Sequence, residues 1–168
     1  NLCRNVSPRF KIVRTNCAWC LSTPTDKQKR TQEIVAEFCG ELTDARDFVY
    51  TCFNVAMTWD HIEDEEEIDT EMAAKVFRDI MTTWPMNKFY MRYGMILSVV
   101  CANAISSWDS ANRSESPKIK ALDIFSEISC AVCFLIHGME GVDKWMPEFR
   151  KLINLICIED DATDGGKL

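Results

Sequence analysis

Turn-forming residues are scarce along this chain, and their scarcity limits the folds it can adopt. The 168 residues include only six glycines and five prolines. No dipeptide of the Asn-Gly kind joins two segments in which apolar and polar residues alternate. Such dipeptides are the strongest short-range signal of a β-hairpin. Apolar residues instead recur every three or four positions, which is the spacing of one face of an α-helix. The sequence therefore predicts an all-α fold.

Three helices are predicted in the N-terminal half. The first begins near Asp26 and ends at Gly40, because glycine readily adopts the left-handed conformation that closes helices. The second follows directly and has a broad apolar face. The third is capped by Asp69 or Thr70 and is predicted to end before Pro85, since the residue preceding proline disfavours helical geometry.

Three further helices are predicted in the C-terminal half. A long fourth helix carries an apolar stripe that starts at Phe89. The fifth opens at Pro117, because proline is favoured in a first helical turn, and it closes at Gly138. In the sixth helix, Val142 and Ile156 are predicted to face the core. About six helices with short connections predict one helical bundle.

The predicted bundle covers residues 26–158 and is flanked by two segments of opposite charge. Residues 1–25 form an extended basic arm without clear periodicity, and residues 159–168 form an acidic, flexible tail. The chain has a net charge of −7, but residues 1–30 carry seven bases and a single acid. Opposite charge attracts, so we expect the arm to dock on an acidic surface of its own chain or of a second subunit.

Within the arm, four residues are the predicted contacts to this partner surface. Arg9, Lys11 and Arg14 supply positive charge, and Trp19 supplies an apolar anchor. An overall acidic protein is a poor candidate for wrapping DNA, so nucleic acid is not an expected partner.

Cysteine usage and hydropathy predict a cytoplasmic protein that does not enter a membrane. The nine cysteines are an odd number, and most lie in apolar helical segments, where free cysteines behave as small hydrophobic residues. The longest apolar runs are interrupted and shorter than the about 20 residues that a spanning helix needs. The cysteines predicted to pack in the core are Cys52, Cys101, Cys130 and Cys133.

An unusual acid cluster, "TWDHIEDEEEID", starts at Thr58 and follows an apolar helix. If that helix continues for one more turn, Asp60, Glu63 and Asp64 lie on its core-facing side. Three carboxylates at this spacing form an oxygen site that suits Mg²⁺, and Mg²⁺ suits phosphate substrates. If the helix instead ends near Trp59, the acids are a solvated loop and the start of the next helix, where carboxylates are favourable.

The string "DHIED" is similar to the aspartate-rich motif of isoprenyl diphosphate synthases, an all-α family that holds diphosphate through Mg²⁺. This resemblance implies that Asp60 and Asp64 are metal ligands. His61 stands where the motif has a second aspartate, and no arginine pair follows. The resemblance implies a Mg²⁺-dependent enzyme acting on a diphosphate. A more general Mg²⁺ site, as in helical nucleotide pyrophosphohydrolases, needs paired acidic motifs on two helices and would extend this alternative to nucleotide substrates.

A second candidate metal site is the motif "CAWC". Cys17 and Cys20 would supply two thiolates to zinc, which needs two further ligands. Cys3 and Cys39 are the available ones. A redox role for the same pair would require a strand–helix setting, which the sequence does not predict.

The chain from "WDHIEDEEEID" through "PMNKFY" to "SSWDSANRSE" resembles small all-α proteins encoded by tailed phages and prophages. That resemblance implies an all-α fold and a location in the host cytoplasm, and it transfers no site residue. Five tryptophans and eight methionines are residue types favoured at protein interfaces. We therefore predict a non-enzymatic interaction or assembly protein without a cofactor, binding a protein partner or itself. The Mg²⁺-dependent enzyme is the alternative.

Overall fold

The computed structural model describes residues 25–63, 70–112 and 124–164, and within these ranges the chain is helical apart from short connections. The all-α prediction is confirmed. Residues 1–24 of the arm and residues 64–69, 113–123 and 165–168 lie outside the described residues, and with them the predicted helix cap Asp69 and the predicted helix start at Pro117. The elements are α1 (Asp26–Cys39), α2 (Thr43–Glu63), α3 (Thr70–Arg78), a π-helical segment (Asp79–Thr83), α4 (Trp84–Met86), α5 (Lys88–Asn112) and α6 (Ile124–Asp164).

Helix α1 has the predicted ends, and each has a clear local cause. The Thr25 hydroxyl accepts from the Gln28 backbone N–H at 3.3 Å, and the Gln28 side chain accepts from the Thr25 N–H at 2.7 Å. This reciprocal pair satisfies two amides that the first turn cannot bond internally. At the other end Gly40 has φ 53°, a conformation that favours glycine.

The predicted stop before Pro85 is wrong. Helical geometry continues from Thr70 through the π-helical segment and the one-turn helix α4, with Pro85 in the first turn of α4. Proline is tolerated at that position because its missing N–H would have no helical partner there. In the π-helical segment directly before it, backbone N–H groups donate to carbonyls five residues earlier in the chain, one residue further than in an α-helix.

Asn87 fixes where α5 starts and how it joins α2. Its Oδ1 accepts from the Tyr90 backbone N–H at 2.9 Å, which caps the first turn of α5. Its Nδ2 donates to the Asp44 carbonyl in α2 at 2.8 Å. Because both ends of a buried amide are satisfied, this asparagine sets the position of α5 against α2.

Helix α6 lies at the centre of the fold and contacts α1, α2 and α5. Phe149 and Val132 on α6 are completely buried. The Phe149 ring lies 5.3 Å from that of Phe125, which in turn lies 4.7 Å from that of Phe53 on α2. Buried aromatic area of this kind dominates core energetics. The largest fully buried side chains elsewhere are Phe38, Phe48, Ile34 and Leu97.

A break at Gly138 interrupts α6 where the sequence predicts a helix end. Gly138 has φ 68° and ψ −159°, which are not helical values. At this kink the two halves of α6 fold back on each other, since Arg150 donates to Glu127 at 3.1 Å and the Phe125 and Phe149 rings lie 5.3 Å apart. The helix end that the sequence predicts at Gly138 is therefore present as a sharp turn inside α6. Next to the break, the His137 Nε2–H donates to the Phe38 carbonyl at 2.7 Å. That bond satisfies a carbonyl in the last turn of α1 and ties α1 to the kink.

A surface charge cluster centred on Arg30 also joins α1 to α6. Arg30 donates from Nε to Glu148 at 2.9 Å and from one terminal nitrogen to Glu37 at 2.8 Å. Hydrogen bonds from Arg30 hold the pKa of Glu148 and Glu37 below their usual range. The Trp145 indole N–H donates to Glu37 at 3.3 Å. Such exposed pairs stabilise a fold only slightly.

The stretch Ile124–Ile156 of α6 is long and apolar enough to cross a membrane by length and composition, with a mean hydropathy of 1.3. The core helix of a globular domain passes the same test. Its apolar residues pack on three other helices, and Phe149 and Val132 are fully buried. In all, 44% of the apolar window is buried, so packing in the fold accounts for part of the apolar composition of α6.

Candidate functional site

The predicted Mg²⁺ ligands fall at the end of α2. The backbone of α2 remains helical through Glu63, so the continuation on which the inward-facing acids depend is present for Asp60 and Glu63. The side chains of these two residues are not among those described, and Asp64 lies outside the described residues. Among the residues that the structure describes, no group of three His, Cys, Asp or Glu side chains could hold a metal ion.

The other predicted site residues belong to the N-terminal segment. The zinc candidates Cys17 and Cys20 lie outside the described residues, as does every predicted arm contact. Cys39, a candidate further zinc ligand, is buried, and burial raises its thiol pKa to about 12. The arm contacts in question are Arg9, Lys11, Arg14 and Trp19.

The aromatic residues of the block "WPMNKFY" pack in or against the core, whereas Met86 in the same block is exposed. The Trp84 ring lies 5.5 Å from that of Phe48 and 5.7 Å from that of Tyr90. Phe89 is buried, and its ring lies 4.9 Å from that of Tyr93. These rings pack against one another, as core aromatic residues do.

A small apolar cavity of about 130 Å³ lies between α2, α4, α5 and the start of α6. Cys52 and Cys101 are free thiols on facing helices and both line it. Burial raises the pKa of the Cys52 thiol well above its usual range. A thiol held neutral is a poor nucleophile, so Cys52 is suited to packing. The other lining residues are Val55, Ala56, Trp59, Trp84, Ile105, Ile124 and Ile128.

The cavity wall contains a polar group without a partner in the described part of the chain. The indole Nε1 of Trp84 is buried and makes no hydrogen bond there. An unsatisfied buried N–H costs about 1–3 kcal/mol. No second polar group beside it suggests catalysis, because the remaining lining residues are apolar side chains and two thiols.

A second, more open recess of about 320 Å³ lies where α1, α2 and α6 meet. The Tyr50 hydroxyl at its edge donates to the Gln32 carbonyl of α1 at 3.3 Å. Burial raises the Tyr50 pKa, so the phenol stays protonated at neutral pH. The described lining offers no acid–base pair or nucleophile. It consists of Thr31, Gln32, Val35, Tyr50, Phe53, Asn54 and Phe125.

The outward side of α5 is the most unusual described surface. Met95 is 86% exposed, and Met91 and Val99 are 69% and 68% exposed. The opposite side of the same helix carries the buried residues Leu97 and Ala104. A surface helix normally places polar residues opposite its core-facing stripe, whereas α5 is apolar on both sides.

Charge is also missing from this part of α5. The 16 residues from Tyr93 to Trp108 contain no charged side chain. We call the line of side chains along the outward side, spaced alternately three and four residues apart, the outer stripe of α5. Arg92 and Asp109 stand at its two ends. The outer stripe consists of Arg92, Met95, Val99, Ala102, Ser106 and Asp109.

Sequence reasoning did not single out the outer stripe. The sequence feature that indicates the outer stripe is the charge-free run from Tyr93 to Trp108. A helix exposed to water on one side seldom lacks charged residues over four turns. Comparison with protein-family models, curated proteins and solved structures gives no match for this chain. The site is therefore argued from its own geometry.

Proposed function

We propose that this chain is a non-enzymatic interaction protein whose outward α5 side binds another protein. The observation that carries this proposal is that Met91, Met95 and Val99 are exposed on a helix whose opposite side is buried in the core. Methionine is enriched at protein interfaces, and charged residues are depleted at interface centres. Both features hold for this surface.

The chemistry of the described cavities supports a binding role. The cavity beside Cys52 is apolar and its thiol is held neutral, and the recess beside Tyr50 has no acid–base pair. An exposed contiguous apolar surface is the feature that marks protein interaction sites. The outward side of α5 has that property along several turns.

A matched pair of substitutions tests this proposal. Met95 on α5 and Met139 on α6 are both exposed, at 86% and 58%, so glutamate at either should leave the fold intact. In an extract of the cells in which the chain occurs, Met95→Glu should lower the apparent size of the complex on gel filtration. Met139→Glu should leave it unchanged. Equal elution of both variants with the wild type would contradict the proposal.

The basic arm is a second element of this proposed function. We propose that residues 1–25 extend from the bundle and dock through Arg9, Lys11, Arg14 and Trp19 on an acidic surface of the chain or of a second subunit. Exposed ion pairs are worth only about 0–1 kcal/mol each, so an apolar anchor is needed as well. Deleting residues 1–24, which leaves the Thr25 cap of α1 in place, should lower the melting temperature or dissociate an assembly, more visibly at low salt. A truncated chain that keeps both but loses DNA or RNA binding would contradict this.

A Mg²⁺-dependent activity on a diphosphate or nucleotide is the second candidate. The observation that favours it is the helical backbone of α2 through Glu63, which is the condition for Asp60, Glu63 and Asp64 to share one side. A cation that binds only the folded chain at 100 times its dissociation constant stabilises by about 2.7 kcal/mol. A thermal shift with Mg²⁺ that disappears in Asp60→Asn/Asp64→Asn would support this candidate. The absence of any wild-type shift would remove it.

A further inference from the structure

We propose that the partner of the outer stripe of α5 is the same stripe of a second copy of the chain, packed antiparallel about a two-fold axis. This inference rests on the proposed function, because it names the occupant of that surface. It is carried by the spacing of the stripe, by the sizes of its side chains and by the charges at its ends.

The spacing of the outer stripe is that of a helix–helix seam. Arg92, Met95, Val99, Ala102, Ser106 and Asp109 alternate at intervals of three and four residues. This is the heptad pattern that keeps one side of a helix facing a partner helix. The stripe lies wholly within α5 and extends about 25 Å at a rise of 1.5 Å per residue.

Antiparallel pairing also matches side-chain sizes along the seam. In the register that places the axis between Val100 and Cys101, Val99 faces Ala102 of the second copy and Met95 faces Ser106. Every layer then combines a large side chain with a small one, which gives uniform packing. A parallel pair would instead place methionine against methionine and alanine against alanine.

The same register brings opposite charges together. Arg92 of one copy faces Asp109 of the other, and the two-fold axis repeats that pair at the far end of the seam. Arg92 is exposed and lies over the Tyr93 ring, and Asp109 is half-buried and already interacts within its own chain, so the pair between copies adds to these contacts. Antiparallel helices also align their dipoles favourably. A parallel pair would place Arg92 beside Arg92, which is unfavourable.

The self-complementarity of the outer stripe identifies a second copy of the chain as its binding partner. In a two-fold interface the same patch of each copy meets itself. Residues at one end of the patch must therefore complement residues at its other end in size and in charge. The outer stripe meets that condition at Arg92 and Asp109 and at Met95 and Ser106. Since one helix seam is smaller than the about 800 Å² per partner of a stable interface, we expect a micromolar dissociation constant.

Sedimentation equilibrium of the purified full-length chain tests the dimer. The wild type should show a monomer–dimer equilibrium. Met95→Glu should raise the dissociation constant by at least about 100-fold, because each dimer then buries two unpaired charges. The matched control Met139→Glu should change it by less than about twofold. Urea unfolding of each variant as a monomer confirms that the fold is retained.

A charge-exchange set tests the antiparallel register independently. Arg92→Asp and Asp109→Arg should each weaken the dimer about tenfold, since each creates two like-charge pairs. The double variant should return to within about threefold of the wild type. If the single variants leave the dimer unchanged, or if the double variant does not recover, the antiparallel register is wrong.

Two other outcomes would overturn the inference as a whole. A wild-type chain that stays monomeric up to about 100 µM has no such dimer. The proposed function then still stands or falls by the gel-filtration test in cell extract. A dimer that survives Met95→Glu but disappears when residues 1–24 are deleted would place the arm, rather than the outer stripe, in the interface.

Discussion

Helix α6 buries more of its apolar side chains than α5 does, although Phe134 and Met139 on α6 are exposed. Helix α6 contacts α1, α2 and α5, and Val132 and Phe149 on it are fully buried. Helix α5 buries Leu97 on one side and exposes Met95 on the other. Internal packing therefore accounts for much of the apolar composition of α6, whereas a larger share of the apolar side chains of α5 is exposed.

The largest expected difference comes from truncating one side chain in each helix. Phe149→Ala removes a fully buried ring and should lower the free energy of unfolding by about 3–5 kcal/mol. Met95→Ala should change it by less than about 0.5 kcal/mol in the monomer, because that side chain is exposed. Urea unfolding at low protein concentration measures both. A large loss for Met95→Ala in the monomer would mean that α5 is covered within a single chain.

Glycine substitutions give a second, smaller contrast between the helices. A Cβ at Gly141 of α6 would overlap the His137 Cβ and lie 3.3 Å from the Cys133 sulfur. Gly141→Ala should therefore destabilise by about 1–3 kcal/mol. A Cβ at Gly94 of α5 would meet Tyr90 at an ordinary 3.5 Å.

Gly94→Ala is the matched control for that contrast. Glycine in a helix interior is less stable than alanine by about 0.5–1 kcal/mol, so this variant should gain stability. Thermal unfolding measures the melting temperature of each variant relative to the wild type. Equal effects at Gly141 and Gly94 would show that the kink in α6 is not tightly packed.

The smallest expected effect concerns the charge cluster that joins α1 to α6. The pKa of Glu148 and of Glu37 is depressed by Arg30, so their stabilising effect is complete above the unfolded-state pKa, near pH 4.5. It is lost as the pH falls through the lower folded-state values. Arg30→Gln should remove that dependence and lower the melting temperature slightly at pH 6, and by progressively less as the pH falls below 4.5. Lys88→Gln on α5 is the control, and an equal pH response in both variants would contradict the assignment.

How far the sequence predicts this molecule depends on whether a feature has a local cause. The ends of α1 follow from Thr25, Gln28 and Gly40, which act within a few residues, and the break at Gly138 has the same origin. The passage of helical geometry through Pro85 depends on a π-helical segment that no local signal announces. The end of α2 was equally open, because neither glycine nor proline stands between Trp59 and Glu63.

The outer stripe was hidden from sequence analysis for a different reason. Its three- and four-residue spacing is the same as that of the core-facing stripe, so the two patterns overlap in one helix. Periodicity alone cannot separate a side that meets the core from a side that meets a partner. Only the packing of α5 on α2 and α6 shows that Met95 and Val99 point away from the core.

Methionine oxidation tests most directly whether the outward side of α5 is covered by protein. In the isolated chain Met95 is 86% exposed and Met139 is 58% exposed, so dilute peroxide should oxidise Met95 faster when the chain is alone. In an unfractionated extract of its own cells, mass spectrometry should find Met91 and Met95 oxidised several-fold more slowly than Met139. Oxidation of Met95 ahead of Met139 in that extract would contradict the account.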